Sequence, residues 1–264
     1  MELHFERRGA GEPLVLIHGI GHHWRAWEPV IDLLAEHHDV IALDLPGFGS
    51  SPWDAERGKG GMPELVAGAA EFFDAMGLDR PHVAGNSLGG AIALELAAAG
   101  QAASATAISP AGFYTRRQLR WGLGVLRWHR IASRLPVPVL KALYSRDRTR
   151  AMAFGMLMSR PARISAERAL ADTLALRNGI GFRAVARHGL TYSFASPCEV
   201  PVTVAWSARD RILPPGQAAV ARDRLPDARH LELPGCGHIP MSDDPDLVAR
   251  VILETTGARI VHGG

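Results

Sequence analysis

The pentapeptide GNSLG at residues 85–89 restricts the fold of this chain more than any other feature of its sequence. It follows a short apolar run, residues 82–84, typical of a buried strand, and it opens a small-residue segment, 88–99, that predicts a helix. A serine at so sharp a strand-to-helix turn needs glycine on both sides, because the helix must pass close to the strand. The pattern therefore predicts a sheet with a serine hydroxyl above the end of one strand.

Short apolar runs alternate with helical patterns on either side of this turn. A helix is predicted over residues 63–76, with proline in its first turn and Gly77 after its end, and another over 245–254. Strands alternating with helices favour right-handed crossovers and a parallel sheet covered on both faces. The other predicted strands are residues 13–18, 40–45, 105–109, 200–206 and 230–233.

A strongly basic stretch interrupts this alternation. Residues 112–195 hold fifteen arginines and one lysine against three acids, whereas the whole chain of 264 residues has a net charge of only +2. The stretch shows helical periodicity only, so we expect an inserted helical cap at 112–195 on a core formed by residues 1–111 and 196–264.

Composition excludes several classes of protein. Charged residues are mixed with the 47% hydrophobic residues, which excludes a mainly disordered chain. The first ten residues lack the apolar core of a signal peptide, and no run approaches the ~18 apolar residues of a membrane span. Cys198 and Cys236 are too few for a disulfide framework or a thiolate cage, and we place them at opposite sheet ends, ~20 Å apart by strand rise. A cytoplasmic location is expected.

A serine hydroxyl needs a general base to act as a nucleophile, and the base needs a carboxylate to orient it. Later segments of the chain contain a candidate for each role. His238 lies in a glycine-flanked loop after the last strand and can act as the base, and Asp210 follows the 200–206 strand and can orient it. The order serine, aspartate, histidine is the one that such a turn requires. The backbone N–H groups of Leu88 and of Ile20, in the HGIG segment at 18–21, are the predicted oxyanion donors. In the alternative, non-catalytic interpretation, Asp210 is a helix N-cap or turn residue and His238 is a loop residue.

With these residues, the chain resembles members of the α/β-hydrolase superfamily over essentially its whole length. The resemblance implies a mostly parallel eight-stranded sheet flanked by helices, the triad named above, a cap inserted after the sixth strand, and neither a metal nor an organic cofactor. The segments that carry it are HGIG at 18–21, DLPGFGSS at 44–51, GNSLG at 85–89, Asp210 with Pro214, and Gly237-His238.

Departures from known branches narrow the choice. Haloalkane dehalogenases and epoxide hydrolases use an aspartate where this chain has Ser87, and proline iminopeptidases have tryptophan in place of Leu88 and acids in the cap. Meta-cleavage-product hydrolases, which split carbon–carbon bonds, share Asn86 but usually have tryptophan where Ile239 stands. The remaining interpretation is a serine esterase-like enzyme that cleaves carboxylic esters, thioesters or lactones through an acyl-enzyme on Ser87. A carbon–carbon hydrolase, a cofactor-free cyclase, lyase or acyl transferase, and a ligand receptor on the same fold stay open.

The start of the cap predicts an amphipathic helix that ends at Pro136, unless Gly122 or Gly124 breaks it. Its basic face is a solvated surface, an attractor of anionic substrates or a contact with an anionic membrane, whereas nucleic-acid binding is not expected. The oligomeric state is left open. The basic face contains Arg116, Arg120, Arg127, Arg130 and Arg134, and the opposite face Trp121, Val125, Trp128, Ala132 and Leu135.

A small acyl substrate, hydrophobic or anionic, is the expected partner. The histidine pairs at 22–23 and 37–38 are not expected to bind metal, because adjacent side chains diverge and no cysteine or acid completes a site. Asp44, at the end of a strand, is assigned a structural role. The predicted substrate contacts are His22, Trp24, Asn86, Trp121, Trp128 and Ile239.

Overall fold

A computed structural model describes residues 2–54 and 60–258. Within these ranges one seven-stranded sheet has the order β1-β3-β2-β4-β5-β6-β7, and every neighbouring pair is parallel except β1 and β3. The expected α/β fold with a mostly parallel sheet is confirmed. The strands are β1 (Phe5–Arg8), β2 (Pro13–Ile17), β3 (Asp39–Leu43), β4 (His82–Asn86), β5 (Ser104–Ile108), β6 (Val202–Ser207) and β7 (Arg229–Leu233).

The expectation of eight strands is wrong for the described residues. β1 forms the antiparallel edge directly, pairing with β3 alone, so the helical insertion follows the fifth strand rather than the sixth. β1 was not predicted, because its FERR sequence lies at a half-exposed edge and lacks the apolar run of a buried strand. By contrast, all five residues of β3 are buried and form such a run.

Helices cover both faces of the sheet and bury its apolar runs. α2 begins beside Pro63 and ends at Gly77, whose φ of 66° gives the left-handed turn expected after a helix. The first turns of α3 consist mostly of glycine and alanine, and the helix packs against β4 and β5. The core helices are α1 (Glu28–Ala35), α2 (Met62–Met76), α3 (Leu88–Ala98), α9 (Gln217–Arg224), α10 (Pro240–Asp243) and α11 (Pro245–Thr256).

Between β5 and β6 the chain forms five further helices, called the cap helices. α4 runs unbroken through Gly122 and Gly124, and a capping box between Thr115 and Gln118 fixes its start. It ends at Ala132, so Arg134 and Leu135 lie beyond the helix on which their positions were predicted. The cap helices are α4 (Arg116–Ala132), α5 (Val137–Tyr144), α6 (Asp147–Phe154), α7 (Ala166–Asn178) and α8 (Phe182–Gly189).

No helix in the described ranges combines the length and the apolar content that a membrane crossing requires. Cys198 and Cys236 are both free thiols.

Candidate active site

Ser87 stands at the turn between β4 and α3 in a strained backbone conformation. Its φ of 58° and ψ of −114° are rare for a residue with a side chain. A Cβ on Gly89 would lie 2.0 Å from the carbonyl oxygen of Ile17, and one on Gly85 would lie 2.1 Å from that of Gly89. Both glycines are therefore required by contact with neighbouring backbone, and they allow α3 to begin directly behind the serine.

His238 and Asp210 form a buried pair above the ends of β6 and β7. The Nδ1 atom of His238 lies 2.7 Å from Oδ2 of Asp210, and both side chains are nearly excluded from solvent. The other carboxylate oxygen of Asp210 accepts the backbone N–H groups of Ile212 and Leu213, each at 2.8 Å. The carboxylate therefore faces donors only, which directs the proton of His238 to Nδ1 and leaves Nε2 as the basic nitrogen.

Ser87 and His238 line one cavity, although in this arrangement the two side chains are not hydrogen-bonded to each other. The predicted oxyanion residues also border the serine. Ile20 lines this cavity and, together with Leu88, a second one that also contains Ser87. Leu88 is the first residue of α3, so its N–H has no acceptor within the helix and is available to a ligand.

The loop that carries Ile20 is held by a buried histidine. Nε2 of His18 accepts the N–H of Leu45 at 2.9 Å, so the proton is on Nδ1, which donates to the carbonyl oxygen of Gly19 at 2.7 Å. Burial lowers the pKa of His18 to about 4, and the ring is neutral at physiological pH. It joins the loop after β2 to the loop after β3.

Asn86, a predicted substrate contact, is bonded to the loop of His238 through its amide nitrogen. Its side-chain nitrogen donates to the carbonyl oxygen of His238 at 3.0 Å and to that of Ile108 at 3.3 Å. The residue lines the cavity of Ser87, but both bonds of its amide nitrogen go to protein carbonyls. Asn86 therefore positions the histidine loop relative to the serine.

Sequence reasoning missed Asp243, which supports the same loop from the other side. One of its oxygens accepts the N–H of Gly237 at 2.7 Å and that of Ser159 at 2.9 Å, and the other accepts the N–H of Arg160 at 2.6 Å. This buried carboxylate thus links the loop of His238 to the segment between α6 and α7. The local sequence does not signal the link to Ser159 and Arg160, because these two residues lie more than 80 positions before Asp243 in the chain.

The other predicted substrate residues divide into two groups. His22, Trp128 and Ile239 line the cavity that contains Ser87 and His238. Trp24 and Trp121 line neither cavity of Ser87: the backbone N–H of Trp24 donates to Asp44 at 2.6 Å, and Trp121 is 55% exposed. Asp44 makes the structural contacts expected of it.

The two cavities meet at Ser87 and differ in chemistry. The first, of about 70 Å³, is lined mainly by aliphatic side chains from α2, α4 and α8, including Leu65 and Leu126. The second, of about 120 Å³, contains His238, and its largely apolar lining includes the polar side chains of His22, Asp172 and Thr173. The geometry suits a substrate whose two parts extend to opposite sides of a central carbonyl.

The surroundings of His22 and His23 differ from the expectation that their side chains diverge and have no acid nearby. The rings of His22 and His23 do not diverge but stack with centroids 5.4 Å apart, and Asp172 of α7 supplies the acid that was not expected. Arg168 already binds this carboxylate at 2.9 Å, which makes the cluster a buried ion-pair network between the cap helices and the core. Burial lowers the pKa of His22 to about 3, so its ring is neutral.

A parallel sheet that presents a serine at a strand-to-helix turn, with a bonded histidine–aspartate pair beside it, defines a class of hydrolytic enzymes. The chain belongs to the α/β hydrolase family, whose sequence model matches residues 14–251.

Known proteins are similar in sequence to parts of this chain. The (E)-2-((N-methylformamido)methylene)succinate hydrolase of Acinetobacter baylyi is 39% identical over 89 residues, which are 34% of this chain and 33% of that protein. The match thus spans about a third of the relative's length.

Two solved structures share the fold. One is a thermophilic esterase from Thermogutta terrifontis, with a TM-score of 0.75 and 22% identity over 97% of this chain and 93% of that one. The other is the enol-lactonase from Burkholderia xenovorans, with a TM-score of 0.74 and 18% identity over 97% and 96% of the two chains.

Proposed function

We propose that this protein is a serine hydrolase that cleaves carboxylic esters, thioesters or lactones through an acyl-enzyme on Ser87. The observation that carries the proposal is the bonded pair of His238 and Asp210, at 2.7 Å, in the loops beside a strained serine at φ 58°. A protein that only bound a ligand would not need a carboxylate, an imidazole and a hydroxyl in this order above one sheet edge.

In the first step the Ser87 oxygen attacks the carbonyl carbon of the substrate while Nε2 of His238 takes the hydroxyl proton. The Asp210 carboxylate, 2.7 Å from Nδ1, stabilises the resulting imidazolium and fixes its orientation. The N–H groups of Ile20 and Leu88 bind the oxyanion of the tetrahedral intermediate, which collapses as His238 returns the proton to the leaving group.

In the second step water attacks the acyl-enzyme, with His238 again as general base, and releases the acid and the free serine. The first cavity favours a hydrocarbon portion on one side of the carbonyl, and the second, whose largely apolar lining includes His22 and Asp172, can accept a portion that carries a polar group on the other. The feature that favoured carbon–carbon bond hydrolysis, Asn86, is engaged in holding the loop of His238.

The test is covalent labelling with a fluorophosphonate probe, read by intact mass, together with hydrolysis of p-nitrophenyl esters of increasing acyl length. We expect one label per wild-type chain, no label on Ser87→Ala, and a loss of ester hydrolysis on the order of 10⁴–10⁶-fold in that variant. Ser145→Ala removes an exposed serine that lines neither cavity and is the matched control, which should label and turn over like wild type. A folded wild-type protein that neither labels nor cleaves any ester would contradict the proposal and favour a ligand receptor.

A further inference from the structure

The exposed apolar side chains of this protein are confined to one region. Nine large hydrophobic residues are exposed in the described ranges, and all of them belong to residues 112–195. Water-exposed tryptophan and methionine are costly in this number unless another surface covers them, so the concentration marks an interaction surface. These residues are Trp121, Trp128, Ile131, Leu135, Val139, Leu143, Met152, Ile180 and Leu190.

Seven of the nine line two grooves that flank α4. The apolar groove lies towards α5 and α6 and is lined by Trp121, Trp128, Leu135, Leu143 and Met152. The basic groove lies towards α8 and contains Ile131 and Leu190 among six arginines. Arg120 and Gly124 line both grooves, so the two together form one continuous surface, the cap face.

The positive charge of the cap face is uncompensated. Within the described ranges, the side chains of five exposed arginines of the basic groove make neither a hydrogen bond nor an ion pair: Arg120, Arg127, Arg134, Arg183 and Arg187. The sixth, Arg130, binds carbonyl oxygens at the end of α7 and stacks on Phe182 at 5.0 Å. Burial, with the charges of Arg183 and Arg134, lowers its pKa, which shows how closely the like charges are placed. A surface of this kind favours an anionic partner.

The apolar groove lies next to the catalytic cavity and shares a wall with it. Trp128, His129, Ala132, Tyr144 and Ala153 line both the groove and the cavity that contains Ser87 and His238. These side chains form the wall between the outer surface and the nucleophile. A hydrocarbon chain held in the groove therefore lies one layer of side chains from the site of chemistry.

We propose that the cap face docks on an anionic phospholipid bilayer and that substrates with acyl chains reach Ser87 from the bilayer through the apolar groove. Arginine binds lipid phosphates, and tryptophan and aliphatic side chains enter the boundary between headgroups and acyl chains. A second copy of this chain is a poor occupant, because a two-fold contact through the cap face would bring two unpaired arginine clusters together. The delivery of substrate rests on the proposed ester hydrolysis, whereas docking does not.

Binding to vesicles tests the docking without any chemistry. Wild type is sedimented with phosphatidylcholine vesicles and with mixed phosphatidylcholine–phosphatidylglycerol vesicles, at low and high salt. We expect binding to the mixed vesicles that weakens as salt screens the arginines, and little binding to phosphatidylcholine alone. Ser87→Ala should bind like wild type, so a failure of the proposed catalysis and a failure of docking are separately visible.

Charge-matched variants locate the surface. Each arginine near an anionic bilayer strengthens binding about fivefold, so Arg127→Gln/Arg134→Gln should weaken it about 30-fold. Arg222→Gln/Arg250→Gln removes the same charge from exposed positions of α9 and α11 and should leave binding within about twofold of wild type. Ile131→Ser/Met152→Ser should weaken binding at least about tenfold with no change of charge.

Two results would overturn the proposal. One is the absence of binding to phosphatidylglycerol vesicles at low salt, which would leave an acidic protein as the partner to seek. The other is an equal loss of binding in the two arginine pairs, because that would show attraction by overall charge rather than by the cap face.

Discussion

Two glycines in α4 offer the sharpest single prediction about how the cap helices support the site. A Cβ on Gly122 would lie 2.9 Å from the carbonyl oxygen of Ile212, closer than side chains ordinarily approach backbone, whereas one on Gly124 would meet nothing within 4 Å. The same glycine-to-alanine change two residues apart therefore produces a clash in one case and none in the other.

The two substitutions should change the free energy of unfolding by different amounts. Alanine favours a helix over glycine by about 1 kcal/mol, so Gly124→Ala should stabilise the fold by about that amount. Gly122→Ala has the same gain but must move α4 away from Ile212, at a typical overpacking cost of about 1–3 kcal/mol. The two variants should therefore differ by about 1–3 kcal/mol, or about 2–12 °C in melting temperature for a chain of this size.

The displacement also reaches the candidate active site. The N–H of Ile212 donates to Asp210 at 2.8 Å, and that carboxylate orients His238. Scanning calorimetry of both variants, paired with the rate of fluorophosphonate labelling, should show a lower melting temperature and slower labelling for Gly122→Ala than for Gly124→Ala. Equal stability and equal labelling in the two would refute the argument that Gly122 is present for close approach.

Two further changes test the surroundings of Ser87 and His238. Asn86→Ala removes two buried hydrogen bonds, to Ile108 and His238, and should lower the free energy of unfolding in urea by about 1–3 kcal/mol while slowing labelling; labelling at the wild-type rate would contradict a positioning role. His22 has a pKa of about 3 in the folded protein against 6.5 when unfolded, so the unfolded state binds more protons at acidic pH. Its stabilisation is complete above pH 6.5 and is lost as the pH falls towards 3, by up to about 1.4 kcal/mol per pH unit. His22→Gln should flatten this dependence in urea unfolding series, and an unchanged slope would exclude His22 as the titrating group.

Local sequence was sufficient to predict a structural feature wherever one physical rule acted on neighbouring residues. The turn at Ser87 was predictable because its flanking glycines touch backbone and tolerate no side chain. Buried parallel strands such as β3 were predictable because both their faces are covered and their residues are uniformly apolar. The half-exposed edge strand β1 followed neither rule and was missed.

Glycine in α4 shows where such rules fail. Propensity alone left open a break of the helix at Gly122 or Gly124, yet α4 continues through both. The reason for Gly122 is its contact with Ile212, about ninety residues further along the chain, which no local pattern encodes.

The sequence by itself determined the identity and order of the serine, aspartate and histidine and the kind of sheet that carries them, because strand ends and turns are set by residues close in the chain. Tertiary structure alone decided what surrounds them. Asp172 lies beside His22, Asn86 holds the loop of His238, and arginines of two helices share one groove. Such juxtapositions depend on how separate elements pack, and packing is set by the shape of whole helices and sheets rather than by any short segment.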